Sequence, residues 1–183
     1  MITDILIPLV AITLAELGDK TQLSILLLSS KTQKHVQLLL GVTLAFLIVD
    51  GTAILLGTWI TNVIPTNYLK IASGTVFIIF GIILLIQKQS EEESRLRFKN
   101  TFLAGFALIF ISEWGDKTQI TSALFATQYN SALVLIGTMT GLILLSILTV
   151  YIGKLISEKI DKKLVTRIAA VVFIIVGISL FFI

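Results

Sequence analysis

With 183 residues, 56% of them hydrophobic, and a mean hydropathy of +1.00, this chain is far too apolar for an ordinary soluble domain. It has no cysteine, which excludes disulfides and thiolate metal sites. The formal charge of +3 and pI near 9.2 would suit a nucleic-acid binder, but the basic residues sit in short stretches between apolar runs. Orientation in a membrane explains that placement, and no nucleic-acid partner is expected.

In chain order, apolar runs bounded by polar clusters predict six spans: 4–29, 36–60, 68–87, 101–127, 131–153 and 165–183. The first is expected to be a retained membrane helix and not a signal peptide. It lacks a basic leading stretch and a small-residue cleavage site, and Glu16, Asp19 and Lys20 interrupt its core. The breaks fall at Lys31 to His35, at Asn62 to Asn67 with Pro65, at 88–99, at Gln128 to Asn130 and at 154–163. Lys31, Lys34, Lys88, Arg95, Arg97, Lys99, Lys154, Lys159, Lys162 and Lys163 lie on one side, with Arg167 at its edge; the other side has Lys70. Basic loops stay cytoplasmic, so both termini are predicted outside, with Trp59 and Tyr68 at the outer interface.

The run Glu16-Leu17-Gly18-Asp19-Lys20-Thr21-Gln22 returns as Glu113-Trp114-Gly115-Asp116-Lys117-Thr118-Gln119. Around it Gly41 matches Gly137, Gly57 matches Gly153, Val76 to Ile79 match Val172 to Ile175, and Gly81 matches Gly177. Each half holds three spans, and an odd number inserts the second half upside down relative to the first. The predicted fold is therefore an all-α integral membrane protein, six transmembrane helices as two inverted three-helix repeats. Residues 1–87 form the first repeat, 88–100 a cytoplasmic loop and 101–183 the second repeat.

Charges at bilayer depth are costly, so carboxylates there are functional candidates. Glu16 and Glu113 each lie about 12 residues into their spans, or roughly 18 Å, near the middle of the hydrocarbon core. Helical spacing would put Glu16, Asp19 and Lys20 on one face, with Gln22 within reach. Gly18 and Gly115 allow either close helix packing or a local break that frees carbonyl oxygens. If the two faces meet, Glu16, Asp19, Glu113 and Asp116 with Lys20 and Lys117 carry a formal charge of −2, which one divalent cation neutralises. Carboxylates, with the amide oxygens of Gln22 and Gln119, are hard ligands suited to Mg²⁺, Ca²⁺ or Mn²⁺. Lys20 and Lys117 are expected to compensate charge. Protons and metal compete for the same oxygens, so alternating access would give cation/proton antiport.

Other polar residues carry weaker signals. Asp50, whose counterpart is Ser146, is either a proton relay or a helix-pairing group bonded to a neighbouring hydroxyl. Thr21 and Thr118 line the site or, more commonly for threonine, bond back to their own helix; Ser24 and Ser122 weigh less. Gly137 to Gly141 is a small-residue pattern expected to serve internal packing. Glu91 to Glu93 read as a solvated loop, and Trp114 as a wall of the cavity.

The two Glu-x-Gly-Asp-Lys-Thr copies, at Glu16 to Thr21 and Glu113 to Thr118, resemble the signature of the Golgi-type calcium/manganese cation exchanger family, long catalogued as uncharacterised protein family 0016. The resemblance covers the whole chain. It implies export of Mn²⁺, and in some members Ca²⁺, in exchange for protons, with Glu16, Asp19, Glu113 and Asp116 as the motif acids. The short central loop and the lack of an N-terminal targeting extension resemble a bacterial inner-membrane member. The expected substrates are a divalent cation and protons, with no bound cofactor and no enzymatic activity; the lipid bilayer is the surrounding partner. The alternative is a divalent cation channel or uniporter using the same acids. The Mn²⁺ against Ca²⁺ preference, the proton stoichiometry and any homo-oligomer are left open by the sequence.

Overall fold

The computed structural model describes residues 1–86, 100–159 and 162–182, without the side chains of residues 20, 152–159, 162, 163, 165 and 166. Within these residues all regular structure is helical, as expected where lipid offers the backbone no hydrogen bonds. In chain order the helices are α1 (Ile2–Glu16), α2 (Lys20–Ser30), α3 (His35–Ile60), α4 (Thr66–Ile86), α5 (Thr101–Glu113), α6 (Lys117–Gln128), α7 (Ser131–Lys159) and α8 (Lys162–Ser179).

Two of the expected spans are therefore not continuous. The runs 4–29 and 101–127 are each cut into two shorter helices at their motif, so Glu16, Asp19 and Lys20 do not share a face of one helix. Of the described helices, His35–Ile60, Thr66–Ile86 and Ser131–Tyr151 are by themselves long and apolar enough to cross a membrane. A second difference is at 154–163: α7 continues through Lys159, because no residue of 154–159 is a helix breaker. The 88–99 segment, with Glu91 to Glu93, lies outside the described residues.

Helix pairing is reciprocal between the halves. α1 and α2 pack on α7, while α5 and α6 pack on α3; α3 packs on α7, and α4 on α8. The glycines show how closely. A Cβ on Gly41 would collide with the carbonyl of Phe102 in α5, and one on Gly137 with the carbonyl of Ile5 in α1. Gly137 and Gly141 thus serve internal packing, as their spacing predicts. Gly81 faces Ala170 and Ile174 whereas Gly74 faces Gly177 and Phe181, so α4 and α8 run antiparallel. Phe77 and its counterpart Phe173 stack between them with ring centroids 5.8 Å apart.

Large apolar side chains cover the outside, and several polar side chains are buried alongside an apolar core. Leu55, Leu56, Ile86, Ile175 and Phe182 are exposed, as are Trp59 and Tyr68, while Glu16, Glu113, Asp50, Thr21, Thr118 and Ser122 are buried. Lipid accepts the first set; the second must find partners within the protein.

Candidate metal centre

The two helix breaks have the same geometry. Leu17 has φ −65° and ψ 113°, Gly18 has φ 82°, and the Asp19 N–H donates to the Glu16 carbonyl at 3.1 Å. Trp114 has φ −68° and ψ 111°, Gly115 has φ 82°, and the Asp116 N–H donates to the Glu113 carbonyl at 3.1 Å. These are type II turns, whose third residue must take a positive φ. Glycine does so freely, whereas another L-residue pays about 1–2 kcal/mol. The glycine at the third position of Glu-x-Gly-Asp is the sequence signal for the break. The next helix begins at once: the Leu23 and Ile120 N–H groups donate to the Asp19 and Asp116 carbonyls.

Each break leaves a glutamate at the C-terminal end of a half-helix, and Lys117 at the N-terminal end of another. Both charges face the end of the helix dipole that disfavours them. They meet instead. Lys117 Nζ lies 3.2 Å from Glu16 Oε1 and 3.4 Å from Asp116 Oδ2, and forms an ion pair with Asp19 Oδ2. One oxygen from each of Glu16, Asp19 and Asp116 can be chosen so that all lie within 4.8 Å of one another. Glu16 is fully buried, and Asp19 and Asp116 are part-exposed. Three carboxylates from two motifs thus converge on one point.

The threonines of the motif act across the halves. Thr118 Oγ1 donates to Glu16 Oε1 at 2.5 Å, and Thr21 Oγ1 to Glu113 Oε1 at 2.6 Å. The expected back-bonding to their own helices is replaced by this exchange, for which a single copy of the motif gives no signal. Glu16 Oε2 and Glu113 Oε2 are both buried without a hydrogen-bond partner among the described residues.

The remaining expected ligands are not among the three acids whose oxygens converge. Glu113 is held by Thr21 and is not among the converging acids. Gln119 closes its own turn, its Oε1 accepting the Gly115 N–H at 2.7 Å and its Nε2 donating to the Val49 carbonyl at 3.3 Å. The Gln22 Oε1 lies 2.5 Å from the Thr149 hydroxyl, and its Nε2 is buried and unpartnered among the described residues. Lys20 begins α2, and its side chain lies outside the described residues. Trp114, instead of walling the site, is 54% exposed with its ring 5.0 Å from that of Phe110. Asp50 accepts from Ser122 Oγ at 2.6 Å, the hydroxyl-bonded arrangement, while its counterpart Ser146 bonds back to Leu142.

Helices broken in mid-length around buried carboxylates are the architecture of a membrane ion transporter, in which irregular backbone lines the path of the ion. The chain belongs to the divalent cation/proton antiporter family GDT1, whose model matches residues 4–92 and 101–183. It is 32% identical over 175 residues to a Vibrio cholerae protein named "Putative manganese exporter", covering 94% of this chain and 88% of that one. A GDT1-like protein of Synechocystis is 28% identical, covering 94% of each chain. A GDT1-like protein of Schizosaccharomyces pombe is 25% identical over 91% of this chain and 85% of its own. No solved structure matches the chain. The resemblance stated from the motifs is thus borne out, and the family is one of transporters and not of enzymes.

Proposed function

We propose that this chain exports Mn²⁺, with Ca²⁺ as the less favoured substrate, from the cytoplasm of a bacterium across the inner membrane in exchange for protons. The observation that carries the proposal is the convergence of Glu16, Asp19 and Asp116, drawn from both motifs, on one point at two helix breaks. Three carboxylate oxygens form a hard-ligand set suited to a Mn²⁺-sized ion. The Vibrio relative's name points to the same metal.

Exchange follows from the ligands. An oxygen that takes a proton ceases to be a metal ligand, so protons arriving from outside release the cation that entered from the cytoplasm. Six spans in two inverted repeats, 1–87 and 101–183 joined by the cytoplasmic loop 88–100, would let one arrangement serve both sides of the membrane. The antiparallel α4 and α8 support that arrangement. Both termini then face out, by the distribution of lysine and arginine. Glu113 takes the place of Glu16 when the halves exchange conformations. Gln22 and Gln119 orient the shell, Lys20 and Lys117 compensate charge, and Asp50, bonded to Ser122, is a helix-pairing group that is also the candidate proton relay. No bound cofactor is required.

The test is Mn²⁺ uptake into everted membrane vesicles with and without an imposed pH gradient, comparing wild type with Glu16→Gln and Asp116→Asn. Uptake that follows the gradient and vanishes in both variants is expected. Uptake indifferent to the gradient would replace the exchanger with a channel or uniporter. Uptake equal in wild type and variants would remove the site.

A further inference from the structure

The Lys117 ammonium does more than balance charge from a distance: it stands where the transported cation would stand. Its Nζ touches one oxygen from each of Glu16, Asp19 and Asp116. These are the same three residues whose oxygens lie close enough together to hold an ion. A divalent cation binds carboxylate oxygens at about 2.0–2.6 Å. Two cations cannot share the centre of one such trio, because their repulsion at that separation is strong in a site shielded from water. Metal binding therefore requires the ammonium to leave.

We infer that Lys117 is a tethered competitor of the transported ion, occupying the cation position in the unloaded carrier and re-entering it as the metal departs. This deepens the proposed exporter and rests on it. Three observations point the same way. Lys117 is the first residue of α6, directly after a turn, so its withdrawal would disturb the end of a helix and not its middle. Its ammonium lies largely buried against the three acids, so it is desolvated in that place and must be replaced by another cation when it goes. Glu16 also keeps a second oxygen, Oε2, buried without a partner among the described residues and free to serve an incoming ion.

The consequence is a rule for the transport cycle. With the ammonium in place one of the trio's three negative charges is balanced without metal, so incoming protons need neutralise only the other two before the metal-free carrier reorients. With the ammonium removed, an unloaded site would hold uncompensated carboxylates in the membrane, and reorientation would be blocked. Lys117 thereby links the return of the unloaded carrier to release of its cargo. A merely structural lysine makes the opposite prediction for affinity, since its loss would loosen the trio and weaken metal binding.

The experiment is Mn²⁺ binding to the purified full chain by titration calorimetry, paired with flux in proteoliposomes. Wild type is compared with Lys117→Met, Lys117→Gln, Lys117→Arg and Glu16→Gln. Lys117→Met and Lys117→Gln should bind Mn²⁺ at least tenfold more tightly than wild type. They should retain exchange of internal for radiolabelled external Mn²⁺ while losing net export; Lys117→Arg, which keeps the positive charge, should show no such gain in Mn²⁺ affinity. Equal or weaker binding in whichever neutral variant folds, or net export preserved in it, overturns the competitor role and leaves the exporter intact. Absence of wild-type Mn²⁺ binding, or binding undiminished in Glu16→Gln, overturns the cation site itself and with it both proposals.

Discussion

Glu16 and Glu113 hold the same place in two copies of one motif, are both buried, and each accepts a hydroxyl from the other copy's threonine. Their surroundings nevertheless differ. Glu16 joins Asp19, Asp116 and Lys117, whereas Glu113 has Thr21 as its hydrogen-bond partner among the described residues. The turns that carry them match within 3° in the dihedrals of Leu17 and Trp114, so the difference does not arise in the local backbone. It arises in how the two halves meet. Among the described residues the converging trio takes its glutamate from one half only, and on the proposed reading a carrier open to one side at a time needs that asymmetry.

The sharpest way to break the comparison is to neutralise acids singly. Asp19→Asn and Asp116→Asn should each lower Mn²⁺ transport by more than ~100-fold, beyond the ~10–100-fold that loss of an outer-shell partner costs. Glu16→Gln and Glu113→Gln should both abolish turnover, yet Glu16→Gln should lose more Mn²⁺ affinity in equilibrium titration. Equal affinity losses would mean that the asymmetry has no bearing on binding.

Next in size are the crossed threonines. Thr118→Val, which removes the donor to Glu16, should weaken Mn²⁺ binding by about 10-fold in the same titration. Thr21→Val should weaken it less, because Glu113 stands outside the trio. A reversed order would place the working glutamate in the second motif.

Gly115→Ala probes the turn alone, since nothing lies within 4 Å of the added methyl group. The positive φ should cost about 1–2 kcal/mol, seen as a lower thermal midpoint of the purified protein. Gly41→Ala, against the Phe102 carbonyl, tests helix packing instead and should leave the turns unchanged. The smallest effect on binding is expected at Asp50. Asp50→Asn keeps a partner for Ser122 and should leave Mn²⁺ affinity unchanged while reducing the response of transport to the pH gradient. An undiminished response would leave Asp50 as a helix-pairing residue only.

Much of this was legible in the chain itself. The duplicated motif and the matched glycines carry the pairing of halves, because a small residue recurs wherever two backbones touch: Gly41 on α5, Gly137 on α1. The breaks were present in the sequence as glycine at the third position of Glu-x-Gly-Asp, but apolar periodicity runs straight through them and reads as one span. What could not be read was which acid meets which lysine. Lys117 reaches across to Glu16 and Asp19 of the other half, and no local spacing specifies a contact between residues about a hundred positions apart. The same holds for Thr21 and Glu113.

The central claim is that the two motifs build one divalent-cation site between them. Its most direct test is the stoichiometry and affinity of Mn²⁺ binding to the purified chain, in wild type, Asp19→Asn and Asp116→Asn. One ion per chain, lost in both variants, is the predicted result. Two independent ions per chain, or binding that survives intact in either variant, would contradict a shared site.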